Sequence, residues 1–116
     1  MIVDDDDEIR SALEDVLEGE GYAVVGARDG QQALTYLRHG KRPSAILLDL
    51  WMPVMDGWQL RDELLKDETL AKIPVIVLTA ARDQRAAALH VTEILTKPVE
   101  LGRLLDVLDG ATATSH

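Results

Sequence analysis

The chain has 116 residues, a formal net charge of −9 at pH 7 and no cysteine. This length predicts one domain with a sizeable core, and the acidity argues against nucleic acid as a partner of this domain. The lack of cysteine excludes disulfides and thiolate metal sites and makes the cytoplasm the expected location. No apolar stretch approaches the roughly 20 residues of a membrane span, so we expect no membrane association.

Five short apolar segments alternate with helical patterns and predict buried parallel strands. The segments are Ile2-Val3, Ala23 to Ala27, Ala45 to Asp49, Val75 to Thr79 and Glu93 to Thr96. The first has only two residues before the acidic run begins. The order predicts an α/β fold of the (βα)5 type with right-handed crossovers.

Helical patterns follow each predicted strand, and Asp6 or Asp7 and then Asp29 are candidate N-caps of the first two. The apolar stripes are Ile9, Leu13, Val16 and Leu17; Ala33, Leu34 and Leu37; Leu60, Leu64 and Leu65; a short stretch from Asp83 to Leu89; and Leu101, Leu104, Leu105 and Leu108. Gly110 is the predicted end of the last helix. We therefore expect one domain over residues 1–110 and a disordered tail over residues 111–116.

Acidic and basic side chains stand where four of the predicted strands end. They are Asp4 and Asp5, Asp49, Thr79, and Lys97 before Pro98. Ligands of open α/β sheets bind beyond the carboxyl ends of the strands, so these groups should converge there. Adjacent carboxylates facing Asp49 would repel one another without a cation, and hard oxygen ligands suit Mg²⁺ or Mn²⁺. These acids also have alternative, purely structural interpretations. Asp6 to Glu8 would form a solvent-exposed cap at the N-terminus of the helix, and Asp49 would cap the turn after its strand.

Four blocks of sequence carry a specific resemblance. They are Ile2 to Asp6, Leu47 to Gly57 (LLDLWMPVMDG), Ile76 to Ala80, and Leu95 to Pro98. With these blocks in order, the chain resembles the receiver domains of two-component response regulators, as found in chemotaxis regulators, over almost its whole length. The resemblance implies a flavodoxin-like, doubly wound five-stranded parallel sheet with strand order 2-1-3-4-5.

The resemblance also implies a role for each site residue. Asp49 matches the phosphoacceptor, Asp5 a direct Mg²⁺ ligand, and Asp4 the acid that holds the metal mostly through water. The backbone carbonyl of Trp51 matches the third protein ligand. Thr79 and Lys97 match the switch hydroxyl and the lysine that pairs with phosphoryl oxygens. The implied function is a signalling domain, not a conventional turnover enzyme. It would take a phosphoryl group from a histidine kinase or histidine phosphotransfer protein and then act on a downstream effector or form a homodimer.

Three departures from the family pattern fall on the surface that commonly carries output contacts. Ile94 stands where the family usually has an aromatic residue or His, and His90-Val91 where Gly-Ala is common. Lys97 follows Thr79 by 18 residues, about one helical turn fewer than usual, so the fourth crossover helix should be short. We expect intact phosphorylation chemistry and an altered readout.

Two other functions remain as alternatives. A pseudo-receiver would bind partners without being phosphorylated; the altered output surface favours it, and the complete set of site residues counts against it. A Mg²⁺-dependent hydrolase of the haloacid-dehalogenase type would need a second acid two residues after Asp49 as general acid and base. Trp51 occupies that position, so this function is disfavoured.

Overall fold

The predicted strands lie in a single parallel sheet. The computed structural model describes residues 1–40, 42–50, 52, 54–79 and 91–113. Its strands are β1 Ile2–Val3, β2 Gly26–Ala27, β3 Ile46–Asp49, β4 Val75–Thr79 and β5 Glu93–Thr96. Their order is β2-β1-β3-β4-β5, so the predicted topology is confirmed. The direction of winding reverses between β1 and β3, which opens a crevice at the carboxyl ends of these two strands.

The register of the sheet brings the polar strand ends to one level. Val3 pairs with Leu48, so the residues that follow them, Asp4 and Asp49, come side by side. Thr79 ends β4 one pair further along than Asp49. The site therefore follows from the pairing of the strands and does not depend on a long loop.

The two faces of the sheet carry separate apolar clusters, because successive strand residues point to opposite sides. One face buries strand residues Val3, Ile46, Leu48, Val75 and Val77. The other buries Ile2, Leu47, Ile76, Leu78 and Leu95. Helices cover both faces, as the near-continuous apolar strands predict.

The helices of the described chain are α1 Asp7–Gly19, α2 Gly30–Arg38, α3 Gly57–Leu65, α4 Glu68–Ala71 and α5 Leu101–Ala113. An aspartate caps the N-terminus of each of the first four: Asp6, Asp29, Asp56 and Asp67. These carboxylates accept hydrogen bonds from backbone amides that have no partner within the helix. Helices α2 and α3 pack on the first cluster, and α1 and α5 on the second.

Several predicted boundaries were wrong. Strand β2 covers only the last two residues of the predicted segment, and β3 begins one residue later than predicted. The short helix α4 was not predicted. Helix α5 continues through Gly110 to Ala113, because Ala111 is buried in the second cluster and favours another turn. The disordered tail therefore does not begin at residue 111.

Three residues predicted to face inward are exposed: Ile9, Leu65 and Leu101. The predicted short helix from Asp83 to Leu89 and residues 114–116 lie outside the described residues. None of the helices in the described segments combines the length and apolar character needed to cross a membrane. The Lys97–Pro98 peptide bond is cis.

Candidate functional site

Three carboxylates meet at the carboxyl ends of β1 and β3. One oxygen each from Asp4, Asp5 and Asp49 lies within 4.8 Å of the others. Asp4 and Asp49 are 2% and 8% exposed, whereas Asp5 is exposed. Like charges so close together repel unless a cation or a proton compensates them.

Lys97 brings a positive charge to this group. Its Nζ lies 3.1 Å from Asp4 Oδ2 and 3.7 Å from Asp49 Oδ2, and its side chain is 19% exposed. The amide of Lys97 donates to the carbonyl of Thr79 at 2.7 Å, which extends the β4–β5 ladder and holds the lysine at the sheet edge. Among the residues that the structure describes, one ammonium faces three carboxylates, so this group carries a net negative charge.

Thr79 is the last residue of β4 and is 1% exposed. It lies on the opposite side of Asp49 from the two aspartates that follow β1, because β3 is the middle strand of the sheet. Ile94 pairs with Val77 and packs against the same cluster as that residue. The aliphatic side chain at this position is therefore partly buried against the core.

A network of hydrogen bonds shapes the turn between β1 and α1. The amide of Asp4 donates to the carbonyl of Ala27 at 3.0 Å, and the amide of Asp6 donates to Asp4 Oδ1 at 2.9 Å. Arg10 Nη1 donates to the carbonyl of Asp4 at 2.7 Å. Sequence reasoning did not identify Arg10. The signal in the sequence was its spacing: Arg10 lies three residues after Asp7 and four residues before Glu14, so the three side chains share one face of the helix.

The loop between β3 and α3 packs closely against the end of β3, where Asp49 lies. A Cβ on Gly57 would lie 2.7 Å from the Leu50 Cα and 2.8 Å from the Asp49 carbonyl oxygen, so glycine is needed here. The Gly57 amide donates to the Leu50 carbonyl at 2.9 Å. Trp51, whose carbonyl is a predicted metal ligand, lies outside the described residues.

The donor set fits a magnesium ion. All the candidate ligands are carboxylate oxygens, which Mg²⁺ prefers, and the exposure of Asp5 leaves room for the waters that this ion retains. No sulfur or imidazole ligand is present among the described residues that form the cluster. The arrangement therefore favours a hard divalent cation over zinc or copper.

Comparison with known proteins identifies the family. The family model described as response regulator receiver domain matches residues 1–109. Transcriptional regulatory protein AfsQ1 of Streptomyces coelicolor is 34% identical over 110 residues, which cover 91% of this chain and 47% of that protein. The chain spans less than half the length of these curated relatives, from 31% to 47%.

Solved structures agree with this assignment. The signal receiver domain of a signal transduction histidine kinase from Syntrophus aciditrophicus has a TM-score of 0.90 and 31% identity, covering 97% of this chain and 88% of that one. The receiver domain of sensor histidine kinase PA1611 from Pseudomonas aeruginosa has a TM-score of 0.85 and 28% identity, covering 97% and 95%. That structure contains a magnesium ion coordinated in the active site cleft. The chain belongs to the response regulator receiver domains, the phosphoacceptor modules of two-component signalling systems.

Proposed function

We propose that this domain accepts a phosphoryl group on Asp49, with Mg²⁺ held by Asp4, Asp5 and Asp49, and that phosphorylation switches its conformation. The observation that carries the proposal is the convergence of three carboxylates and the Lys97 ammonium at one edge of the sheet. The phosphoryl donor would be a histidine kinase or a histidine phosphotransfer protein. The domain would promote its own phosphorylation and dephosphorylation without turning over a separate substrate.

The position of Asp49 favours it as the nucleophile over the neighbouring acids. It ends the middle strand, between the two aspartates that follow β1 and Thr79 at the end of β4, and its Oδ2 lies 3.7 Å from the Lys97 ammonium. Both oxygens of Asp4 accept hydrogen bonds, one from the amide of Asp6 and the other from Lys97, which suits a fixed metal ligand.

The chemistry requires positioning and charge neutralisation more than proton transfer. An oxygen of Asp49 would attack phosphorus, the phosphorus–nitrogen bond of phosphohistidine would break, and its electron pair would return to the imidazole. Lys97 would pair with the phosphoryl oxygens, and Thr79 would donate a hydrogen bond to them. Mg²⁺, when bound, would neutralise further charge on those oxygens. The product is an acyl phosphate, which hydrolyses with time and so suits a reversible signal.

The output of the switch would lie in another part of the protein or in a partner. Some relatives are named as transcriptional regulators and are about twice as long as this chain or longer, which supports a downstream effector in gene control. A homodimer is a second route of output. Transcriptional control also supports a cytoplasmic site of action.

Phosphorylation of the purified domain by acetyl phosphate and Mg²⁺, followed by intact mass measurement, tests the proposal. We expect the mass of one phosphoryl group on the wild type and none on Asp49→Ala. Asp106→Ala is the matched control, because it makes the same substitution at an exposed carboxylate on α5. An unlabelled wild type would favour the pseudo-receiver, and a labelled Asp49→Ala would place the acceptor elsewhere.

A further inference from the structure

We infer that Arg10 is a positioning residue of the metal site, which fixes the peptide group between Asp4 and Asp5 and thereby sets where the Asp5 carboxylate lies. The inference rests on the proposed Mg²⁺ site and extends it to a residue on α1. Arg10 would not touch the metal or the phosphoryl group.

The contact is made to the backbone and not to a carboxylate. Arg10 Nη1 donates to the carbonyl oxygen of Asp4 at 2.7 Å. This carbonyl belongs to the planar peptide group whose nitrogen is that of Asp5. Holding the carbonyl therefore fixes the direction in which the chain enters Asp5.

Asp5 depends on this restraint more than its two neighbours do. Asp4 and Asp49 are buried, so packing holds them. Asp5 is exposed, and its position is set mainly by the backbone of the turn. A hydrogen bond from a charged donor is about twice as strong as a neutral one, so the Arg10 contact is a substantial restraint.

Arg10 is itself held in place along α1. Its Nη2 pairs with Asp7, and its Nε lies 3.8 Å from Glu14 Oε1. Its side chain is only 18% exposed, although it carries a full charge. The planar guanidinium can hold the Asp4 carbonyl and the Asp7 carboxylate with separate nitrogens, which a lysine ammonium cannot do in the same geometry.

Positioning and electrostatics predict opposite effects of removing this arginine. A positive charge next to the aspartates opposes the binding of Mg²⁺, so loss of charge alone would tighten binding. Loss of a positioning contact would weaken binding, because Asp5 would then have to be ordered as the metal binds. The sign of the change in affinity therefore separates the two roles.

The test is the Mg²⁺ affinity of Arg10→Gln, measured by titration with tryptophan fluorescence on the folded protein. We expect the dissociation constant to rise about fivefold or more, although the variant is more negatively charged. Arg38→Gln is the matched control: it makes the same charge change and breaks the 3.6 Å pair with Glu63. Arg38 is the last residue of α2, at the end of the sheet opposite the site. The Mg²⁺ affinity of Arg38→Gln should therefore match that of the wild type.

Arg10→Lys provides a second test of the positioning role if Arg10→Gln does not fold. It preserves the charge and shortens the side chain, so a positioning role predicts weaker Mg²⁺ binding than in the wild type, and a purely electrostatic role predicts equal binding. Hydrogen exchange of the Asp6 amide without metal gives a second readout. That amide bonds to Asp4 Oδ1, and its protection should fall in both Arg10 variants but not in Arg38→Gln.

The outcomes separate this inference from the proposed function. Equal or tighter Mg²⁺ binding in the Arg10 variants, with unchanged protection of Asp6, would overturn the positioning role and leave the metal site intact. A wild type that binds no Mg²⁺ would overturn the proposed metal site itself. Weaker binding with loss of Asp6 protection would support the role.

Discussion

Lys97 donates a hydrogen bond to Asp4 Oδ2 at 3.1 Å, between residues 93 positions apart in the chain. The ammonium thus pairs with a proposed metal-binding acid more closely than with the proposed phosphoacceptor, from which it lies 3.7 Å away. Before phosphorylation, Lys97 therefore acts as an internal counter-ion of the acidic cluster. A divalent cation entering the site has to share those carboxylates with it.

Replacing Lys97 with methionine should have opposite effects on metal binding and phosphorylation. Mg²⁺ should bind several-fold more tightly, because a competing positive charge is lost. Labelling by acetyl phosphate should be slower by about tenfold or more, since the phosphoryl oxygens lose their ammonium partner. Fluorescence titration and timed intact mass measurements give the two values.

Lys66→Met is the control for the lost charge. Lys66 is 69% exposed and pairs with Glu63 on α3, so both measurements should match those of the wild type. Slower labelling together with unchanged or weaker Mg²⁺ binding in Lys97→Met would contradict the counter-ion role.

Asp5→Asn should weaken Mg²⁺ binding by about tenfold, equivalent to about 1.4 kcal/mol. The change removes a charge from the cluster while keeping the size of the side chain, and Asp5 is the exposed member of the three. Glu8→Gln makes the same charge change at an exposed position in the first turn of α1. Equal affinities of Asp5→Asn and Glu8→Gln would remove Asp5 from the ligand set.

The sequence could predict the meeting of the site residues because a parallel sheet leaves little choice. Once Val3 and Leu48 are buried neighbours on adjacent strands, the aspartates that follow them must come together. The strand order was predictable from the resemblance for a similar reason, since the matched blocks cover four of the five strands.

Features set by side-chain conformation or by very short elements were not predictable in this way. The Arg10 contact with the Asp4 carbonyl depends on how a long side chain folds back along α1. Helix α4 has four residues, too few for a periodic pattern. Gly110 suggested a helix end, but burial of Ala111 outweighs the roughly 1 kcal/mol cost of a helical glycine.

Val54 adopts a backbone conformation that asparagine tolerates better than valine does. Its φ is +67°, where a β-branched side chain is strained, and it is 80% exposed, so it gains little from packing. Val54→Asn should raise the free energy of unfolding by about 1 kcal/mol, as measured by urea denaturation. Val25→Asn is the control, because Val25 is also exposed, at 39%, and has ordinary φ. No gain in Val54→Asn, or an equal gain in both variants, would count against strain at Val54.

The amino group of Met1 should make stability depend on pH. Burial lowers the pKa of this group from 8.0 to about 6, and it donates to the Ala45 carbonyl at 2.9 Å. Between these two values the unfolded chain binds more protons than the folded one, so stability should rise from pH 6 to pH 8. The gain is at most about 2.7 kcal/mol.

Urea denaturation at both pH values, repeated on the N-terminally acetylated chain, isolates this effect. Acetylation removes the titrating amine and leaves the histidines and acids in place. The acetylated protein should show the smaller rise in stability. Equal rises in the two proteins would assign the pH dependence to other groups.

Ile94 should limit how the output surface responds to phosphorylation. Its side chain is half-buried and packs against the cluster that contains Val77, its partner on β4. An aliphatic residue already packed in this way has no ring to swing inward behind Thr79. We therefore expect small changes at Ile94 and larger ones in the loops that follow Asp49 and Thr79.

Backbone amide shifts, measured with Mg²⁺ and with or without a phosphoryl mimic, decide this last prediction. In the wild type, residues 54–57 should shift more than β5 and α5. Ile94→Tyr restores an aromatic ring at the position and should extend the shifts into β5 and α5, while Val91→Ala, a change to another residue packed on the same cluster, should not. Dominant shifts across β5 and α5 of the wild type, with a quiet loop after Asp49, would show that the ordinary output surface switches without a ring at position 94.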